Sequence, residues 1–295
     1  MQYRKFPVLL SFALFFSGCS GKTPPQTPRQ NNRPTGFWEN KESVFQVLHF
    51  YNKLDIDSDN KPVLDANGKI TTSLMMSIGT GFVVDANGLV MTNNHVITEE
   101  CNIQVSDNKV TLPIPTDCTA KLEVTLDRLA APLLPELFQV CTVTLGLRDC
   151  KLAEVVAKDE KHDLALLHTD EHFSRIVKFA DDRQLTPGDE VYFWGNVSAF
   201  LPPSPFFGRY VGHIGPPYYT GENFGKQLPL VLLDLNLSSG SSGSPMFNSE
   251  GKCVSVGDGY TNTGFTGGRP LGISIPSSTA IKFLKENPWP RPKKK

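Results

Sequence analysis

Gly240-Ser241-Ser242-Gly243-Ser244-Pro245 is the stretch on which the reading of this chain turns. A Ser/Gly run by itself is usually a flexible turn. Here the glycine two residues before Ser242 frees the backbone, so the N–H of Gly240 can swing toward the same point as the N–H of Ser242. Two such donors make an oxyanion hole. Ser242 is therefore the candidate nucleophile, provided that the chain supplies a base and an orienting acid.

Two upstream boxes supply them. His95 stands in Thr92-Asn93-Asn94-His95-Val96, just past a short apolar strand, where its ring can project into a cleft. Asp163 opens Asp163-Leu164-Ala165-Leu166-Leu167, a strongly apolar strand, and a charge at that lip must be paired or hydrogen-bonded. Taken singly, each has a bland reading, His95 as a core-edge residue and Asp163 as a turn residue. Taken together they meet a chemical need. A serine hydroxyl reacts only when an imidazole takes its proton, and the imidazole needs a carboxylate to fix its tautomer.

The rest of the chain frames this site. A net charge of −1 over 295 residues removes any global electrostatic case for nucleic acid. With 23 prolines and 24 glycines spread along the chain, short strands joined by turns are expected. Strands are read over 43–51, 69–76, 79–84, 89–92, 152–157, 163–168, 188–194, 210–214, 229–236, 252–256 and 271–275. Asp65-Ala66-Asn67-Gly68 and Asp85-Ala86-Asn87-Gly88 are twin hairpin turns, with Asn-Gly supplying positive φ. Only 277–286 reads as a helix, with Ser277 as its cap and Ala280, Ile281 and Leu284 on one face. The pattern is that of an all-β protein. Asp55-Ile56-Asp57-Ser58-Asp59 imitates a calcium loop, but Asn60 stands where glycine is needed and Ala66 where the closing glutamate belongs, so a solvated turn is expected.

The N-terminus has the layout of an export signal: basic Arg4 and Lys5, an apolar run over 6–16 too short to span a bilayer, then small residues and Cys19. Residues 20–36 are polar and Pro-rich, the composition of a disordered tether. An exported chain meets oxidising conditions, so Cys101, Cys118, Cys141 and Cys150 are read as two local disulfides, in any of the three connectivities that four cysteines allow. Zinc is the rival, but the four lack C-x-x-C pairs and no histidine lies between them. Cys253 alternates in a strand pattern as a buried free thiol.

The order His95, Asp163, Ser242 with these flanks resembles the chymotrypsin-like, or trypsin-like, serine proteases, above all their bacterial HtrA/DegP branch. Gly79-Thr80-Gly81-Phe82-Val83-Val84, the box around His95, the Asp163-Leu164-Ala165-Leu166 box, 240–245 and Leu271-Gly272-Ile273-Ser274-Ile275-Pro276 carry the resemblance, which covers residues 40–286. It implies two six-stranded β-barrels, 37–178 and 179–286, with the active site between them and a terminal helix at the end. It further implies His95 as general base and then acid, Asp163 as its orienting partner, Ser242 as nucleophile, and Gly240 and Ser242 as the oxyanion donors. No metal or organic cofactor is implied. Asn236, six residues before the nucleophile, falls near the base of the S1 pocket. It is uncharged, which argues against Arg/Lys selection and for a small or medium apolar residue. The Phe16-Ser17-Gly18-Cys19 ending resembles a lipobox with Cys19 as lipidation site. Together these give an exported, membrane-anchored lipoprotein of the bacterial envelope, facing the periplasm and cutting protein or peptide substrates.

Departures from the family pattern are specific. Ser241 replaces the usual Asn or Asp. Ser244 replaces the second glycine after the nucleophile, which distorts the turn if that site needs open space. Residues 101–150 are expected to be a Cys-rich insertion beside the cleft. Residues 201–207 are Pro-rich and aromatic and read as a loop at the groove. The tail 287–295 is basic, and the eleven residues after Leu284 hold no PDZ module. Two rival functions follow: a protease-like binding module without activity, and an envelope structural or immunity protein working through the Cys-rich region. Oligomeric state is left open.

Overall fold

The computed structural model describes residues 33–98, 103–114, 117–144, 147–196, 202–215, 229–235, 237–261 and 270–289, with backbone alone at 117–119. The signal segment with Cys19, residues 20–32 of the tether, Cys101 and the basic residues 291–295 lie outside them, as does the side chain of Cys118.

Alternation decides the architecture. β1 (Val44–Leu54), β2 (Thr72–Asp85) and β3 (Leu89–Thr92) are followed by β4 (Gln104–Ser106), β5 (Lys109–Ile114) and β6 (Asp117–Thr125), which form a small sheet of their own. β7 (Leu137–Thr144), β8 (Leu147–Asp159) and β9 (Leu164–His168) then close the first barrel in the order β1-β2-β3-β9-β8-β7. β10 (Glu190–Gly195), β11 (Ser204–Ile214), β12 (Leu230–Asp234), β13 (Pro245–Phe247), β14 (Cys253–Tyr260) and β15 (Gly272–Pro276) close the second in the order β10-β11-β12-β15-β14-β13. Counted within its own barrel, each set of six follows the same path, three strands in sequence and then the last three in reverse. The expected pair of closed six-stranded barrels with a C-terminal helix is the architecture that forms.

The apolar strands are buried on both faces, which is why they read as continuous runs. In β9, Ala165 and Leu167 point into the first barrel with Val47, Val83 and Val90. Leu164 and Leu166 point the other way, into a cluster that joins the barrels to the terminal helix. β10 does the same in the second barrel. Val191 and Phe193 fill its interior, while Tyr192 and Trp194 face the shared cluster. Each such side chain contributes about 1.5–3 kcal/mol by leaving water, so the shared cluster is a strong bond between the barrels.

The twin turns form with a different division of labour. Asp65 and Asp85 accept from the N–H of Asn67 and Asn87 at 2.9 and 2.8 Å, and the glycines, Gly68 and Gly88, alone take positive φ. Asp57 caps its own loop in the same way, accepting from Asp59 and Lys61, with Asn60 at φ 61°.

Several segments differ from their expected form. The region 101–150 is not one insertion. β7 and β8 are barrel strands, and they carry the disulfide Cys141–Cys150 between directly opposed residues. The added part is the β4-β5-β6 sheet, whose own apolar cluster packs on Leu54 and Ile70 at the far end of the β1–β2 hairpin. That end is eight residues along β2 from Thr80, about 26 Å of strand. The stretch after Pro203 is barrel wall, with Phe206 stacked on Phe193. The end of the tether is already docked, since Thr35 donates to the Ser249 carbonyl at 3.1 Å. There a one-turn helix, α1 (Phe37–Lys41), follows; five residues are too few to show a helical period. Phe37 is buried against Tyr192 and Trp194, and the Trp194 indole donates to its carbonyl at 2.8 Å. Trp289, at the start of the tail, lies 4.4 Å from the His168 ring.

The terminal helix, α2 (Ser277–Glu286), has its expected bounds but not its expected cap. Asp182, buried and 95 residues away in sequence, accepts from the Ser278 N–H at 2.7 Å and sits 3.0 Å from Ser277 Oγ. Its other oxygen meets His213 Nε2 at 3.0 Å, and His213 Nδ1 meets the Tyr210 hydroxyl at 2.6 Å. Burial pushes the Asp182 carboxyl up, but the hydrogen bonds from Ser278, His213 and Ser277 outweigh it, so it titrates below its ordinary 3.8. The ionised form is thus favoured by folding. Its contribution is complete above about pH 4 and is lost as pH falls through the lower folded value. Asp182→Ala should cost about 2 kcal/mol at pH 7 and distinctly less at pH 2.5, measured by urea unfolding at both. An equal cost at both pH values would contradict this.

Candidate active site

β3 ends at Thr92, and the chain then makes a single 3-10 turn over Asn94–Val96. Asparagines 93 and 94 explain the turn. The buried Asn93 donates its side-chain N–H to the Asp163 carbonyl at 3.0 Å, and the Asn94 N–H reaches the same oxygen at 3.1 Å. Asn94 also accepts from Thr98 Oγ1 through its side chain. Asp163 takes φ 54°, the left-handed region that aspartate tolerates better than most residues. This twist brings its carboxylate back over the turn. One oxygen accepts from the main-chain N–H of His95 at 2.9 Å, and the other lies 2.6 Å from His95 Nδ1. Asp163 is buried, while about half of the His95 side chain is open to solvent. With Nδ1 donating to Asp163, Nε2 keeps its lone pair for the cleft.

The turn at 240–245 is built from both barrels. Gly240 and Gly243 take φ of 90° and 84°. At Gly243 a Cβ would stand 2.0 Å from the Thr80 carbonyl oxygen, so no other residue fits. Thr80 of β2, fully buried, is the clamp: its N–H donates to the Ser242 carbonyl at 2.8 Å and its hydroxyl to the Gly240 carbonyl at 2.7 Å. Thr80 Oγ1 in turn accepts from the Asn196 N–H at 3.0 Å, and Thr92 Oγ1 holds the Thr80 carbonyl at 2.7 Å. Ser244 N–H closes the turn on the Ser241 carbonyl. Among the described residues, the N–H groups of Gly240 and Ser242 donate to none of these acceptors.

The structure thus brings His95 and Asp163 into direct contact and ties the Ser242 turn to β2 of the same barrel. The Ser242 hydroxyl donates to the main-chain carbonyl of Asp258 at 3.1 Å rather than to the His95 ring. Asp258 carries a second buried carboxylate, with Oδ1 3.8 Å from His95 Nδ1. Sequence reasoning missed both Thr80 and Asp258. Thr80 lay in a box quoted only for its resemblance to the family's strand before the histidine. The one signal for Asp258 was a charge between two glycines, Gly257 and Gly259, at the end of an apolar strand.

Other candidates stand apart. Asn236 lies outside the described residues, between the buried Leu235 and Leu237. His162 pairs with Asp159, and the buried His49 with Glu136 at 2.6 Å. Cys253 is a buried free thiol, and burial pushes its pKa up, the opposite of what a reactive cysteine needs.

Comparison with known proteins places this geometry. The family model described as "Trypsin-like peptidase domain" matches residues 79–256, more than half of the chain. A protein of Marinomonas sp. (strain MWYL1) named "Probable periplasmic serine endoprotease DegP-like" is 27% identical over 213 residues, 71% of this chain and 35% of the relative. One of the same name from Rickettsia prowazekii (strain Madrid E) is 28% identical over 233 residues, 72% of this chain and 34% of the relative. The chain therefore spans about a third of the length of these curated relatives. A solved HtrA-type protease with decapeptide superposes with a TM-score of 0.58 at 14% identity, covering 85% of this chain and 65% of that one, a likeness of fold.

Ser244, the departure beside the nucleophile, is accommodated. Its side chain turns toward Gly195, where a Cβ would lie only 2.8 Å from Ser244 Oγ. The turn keeps its bonds, with Ser244 N–H on Ser241 and the Gly257 N–H on the Ser244 carbonyl at 2.8 Å. The hydroxyl itself is buried with no partner among the described residues, and such a group costs about 1–3 kcal/mol. Ser244→Ala should therefore raise stability by about 1 kcal/mol in urea unfolding, whereas Gly243→Ala should lower it. A stability loss in Ser244→Ala would mean that the hydroxyl is bonded after all.

Proposed function

This chain belongs to the trypsin-like peptidase family, and on that premise we propose that it is a serine endopeptidase working through His95, Asp163 and Ser242. The observation that carries the reading is the double grip of Asp163 on His95, main chain at 2.9 Å and ring at 2.6 Å. A carboxylate held this way fixes both the tautomer and the orientation of the imidazole.

In the proposed reaction Ser242 Oγ gives its proton to His95 Nε2 and attacks the scissile carbonyl carbon. The N–H groups of Gly240 and Ser242 hold the oxygen that becomes negative. His95 then passes the proton to the leaving amine, the C–N bond breaks, and an acyl-Ser242 ester remains. Water, deprotonated by His95, hydrolyses that ester and restores the hydroxyl. Before the first step the hydroxyl must leave the Asp258 carbonyl for His95. That exchanges one hydrogen bond for another, at a cost of about 1 kcal/mol. Neither metal nor organic cofactor enters these steps. The uncharged Asn236 favours a small or medium apolar residue on the acyl side of the cut.

The relatives are named as periplasmic. With the basic start, short apolar run and Cys19 of the N-terminus, this supports an exported lipoprotein, anchored through Cys19 and facing the periplasm, with envelope proteins or peptides as substrates. The second reading, a binding module without activity, draws on the Ser242 hydroxyl resting on Asp258.

Digestion of a peptide library separates the two. The wild type should cut internal peptide bonds, and Ser242→Ala or His95→Ala should each lose at least about 1,000-fold in kcat. A well-folded wild type that cuts nothing would leave the binding module. For the anchor, wild type expressed in a bacterial envelope should enter the detergent phase on partitioning, and Cys19→Ala should stay aqueous. Wild type that stays aqueous would refute lipidation.

A further inference from the structure

β14 contains an irregularity at the active site. Its pairing with β15 sets Val256 against Ile275 and Gly257 against Ser274, but the next match is Gly259 against Ile273. Asp258 is the extra residue of a β-bulge, a device that re-aims a side chain away from the regular alternation. Glycine on both sides, at 257 and 259, lets the backbone make that bend. The bulge points a carboxylate, 6% exposed, at the catalytic imidazole, where Oδ1 stands 3.8 Å from His95 Nδ1. The same residue's main-chain carbonyl accepts the Ser242 hydroxyl at 3.1 Å.

A buried carboxylate is costly unless something opposite in charge faces it. Among the described residues, the His95 ring faces Asp258, and it carries charge only when it holds two protons. Among the described residues, the charged groups within ion-pair distance of the ring are Asp163, from the turn before β9, and Asp258, from β14. At the neighbouring β8–β9 turn, Lys158 is engaged with Thr98 Oγ1 and Asp159 with His162, while Glu160 and Lys161 are exposed to solvent. The turn that carries His95 has no other charge.

We propose that Asp258 is a positioning residue of this active site: a second carboxylate that, with Asp163, cradles the imidazolium formed when His95 takes the serine proton. The proposal rests on the triad reading above. Its consequence is an exchange between two properties. Two carboxylates around one imidazole favour its protonated form, so the acid limb of the pH–rate profile lies higher than one carboxylate would place it. On the alkaline side, where the ring starts neutral, the same attraction acts only as the proton arrives, and there it speeds the reaction.

The test is the pH profile of kcat/KM for wild type, Asp258→Asn and Asp258→Ser on one peptide substrate, with Ser242→Ala as control. In both Asp258 variants the acid limb should move down by about one pH unit. The alkaline kcat should fall by up to about tenfold, since one unit of proton affinity is worth that factor. KM should stay within about twofold. Two substitutions of different size guard against a folding defect in one, and thermal melts identify it. A merely structural Asp258 would lower the whole profile without moving its limb, and an unmoved limb in whichever variant folds overturns the proposal. If Ser242→Ala retains activity, the triad reading fails instead, independently of where the limb lies.

Discussion

Everything at this site depends on how one buried carboxylate is satisfied. Asp163 opens a strand that begins with four buried apolar residues, 164–167, and is itself buried, so its charge has no water to turn to. The chain answers with a left-handed twist that returns the carboxylate over the His95 turn, where one residue satisfies it twice, through main chain and ring. The carbonyl of Asp163 is held as well, by Asn93 and Asn94. Four hydrogen bonds between two short segments leave the imidazole little freedom. That rigidity turns an ordinary histidine into one whose second ring nitrogen has a defined direction.

A second constraint joins the barrels. The Ser242 turn belongs to the second barrel, yet two of its carbonyls are held by Thr80 from the first. The N–H groups of the same two peptide units, on Ser241 and Gly243, go to the carbonyls of Ser238 and Gly257, and those of Gly240 and Ser242 have no such acceptor among the described residues. The shared apolar cluster beneath, from Phe82 and Leu166 to Trp194 and Phe283, keeps the two walls in register. Barrel packing, the threonine clamp and the geometry of the turn are thus one arrangement seen at three scales.

The fold was largely legible because the central strands β9 and β10 are buried on both faces and announce this as unbroken apolar runs. The twin Asp-Ala-Asn-Gly turns were legible because their chemistry is local. What escaped was non-local. Asp182 caps a helix 95 residues away. The helix beginning at Phe37 is one turn long and exists because Trp194 and Tyr192 receive it. The Cys-rich region looked like one insertion because cysteine spacing says nothing of which strands lie in a barrel. Of the candidate site, His95, Asp163 and the Ser242 turn were readable from their boxes. Thr80 was not, because a threonine in a strand has no chemical signature until its partners are known. Asp258 depended on a bulge, whose one trace in the sequence is the glycine on either side of it.

The central claim is that three side chains from two barrels make one hydroxyl chemically distinct from every other in the chain. Reacting the folded protein with a fluorophosphonate and mapping the adduct by peptide mass spectrometry tests this directly. The account predicts a single adduct, on Ser242, that vanishes when the protein is unfolded before reaction. An adduct spread over other serines, or a folded protein that takes up no label, would contradict it.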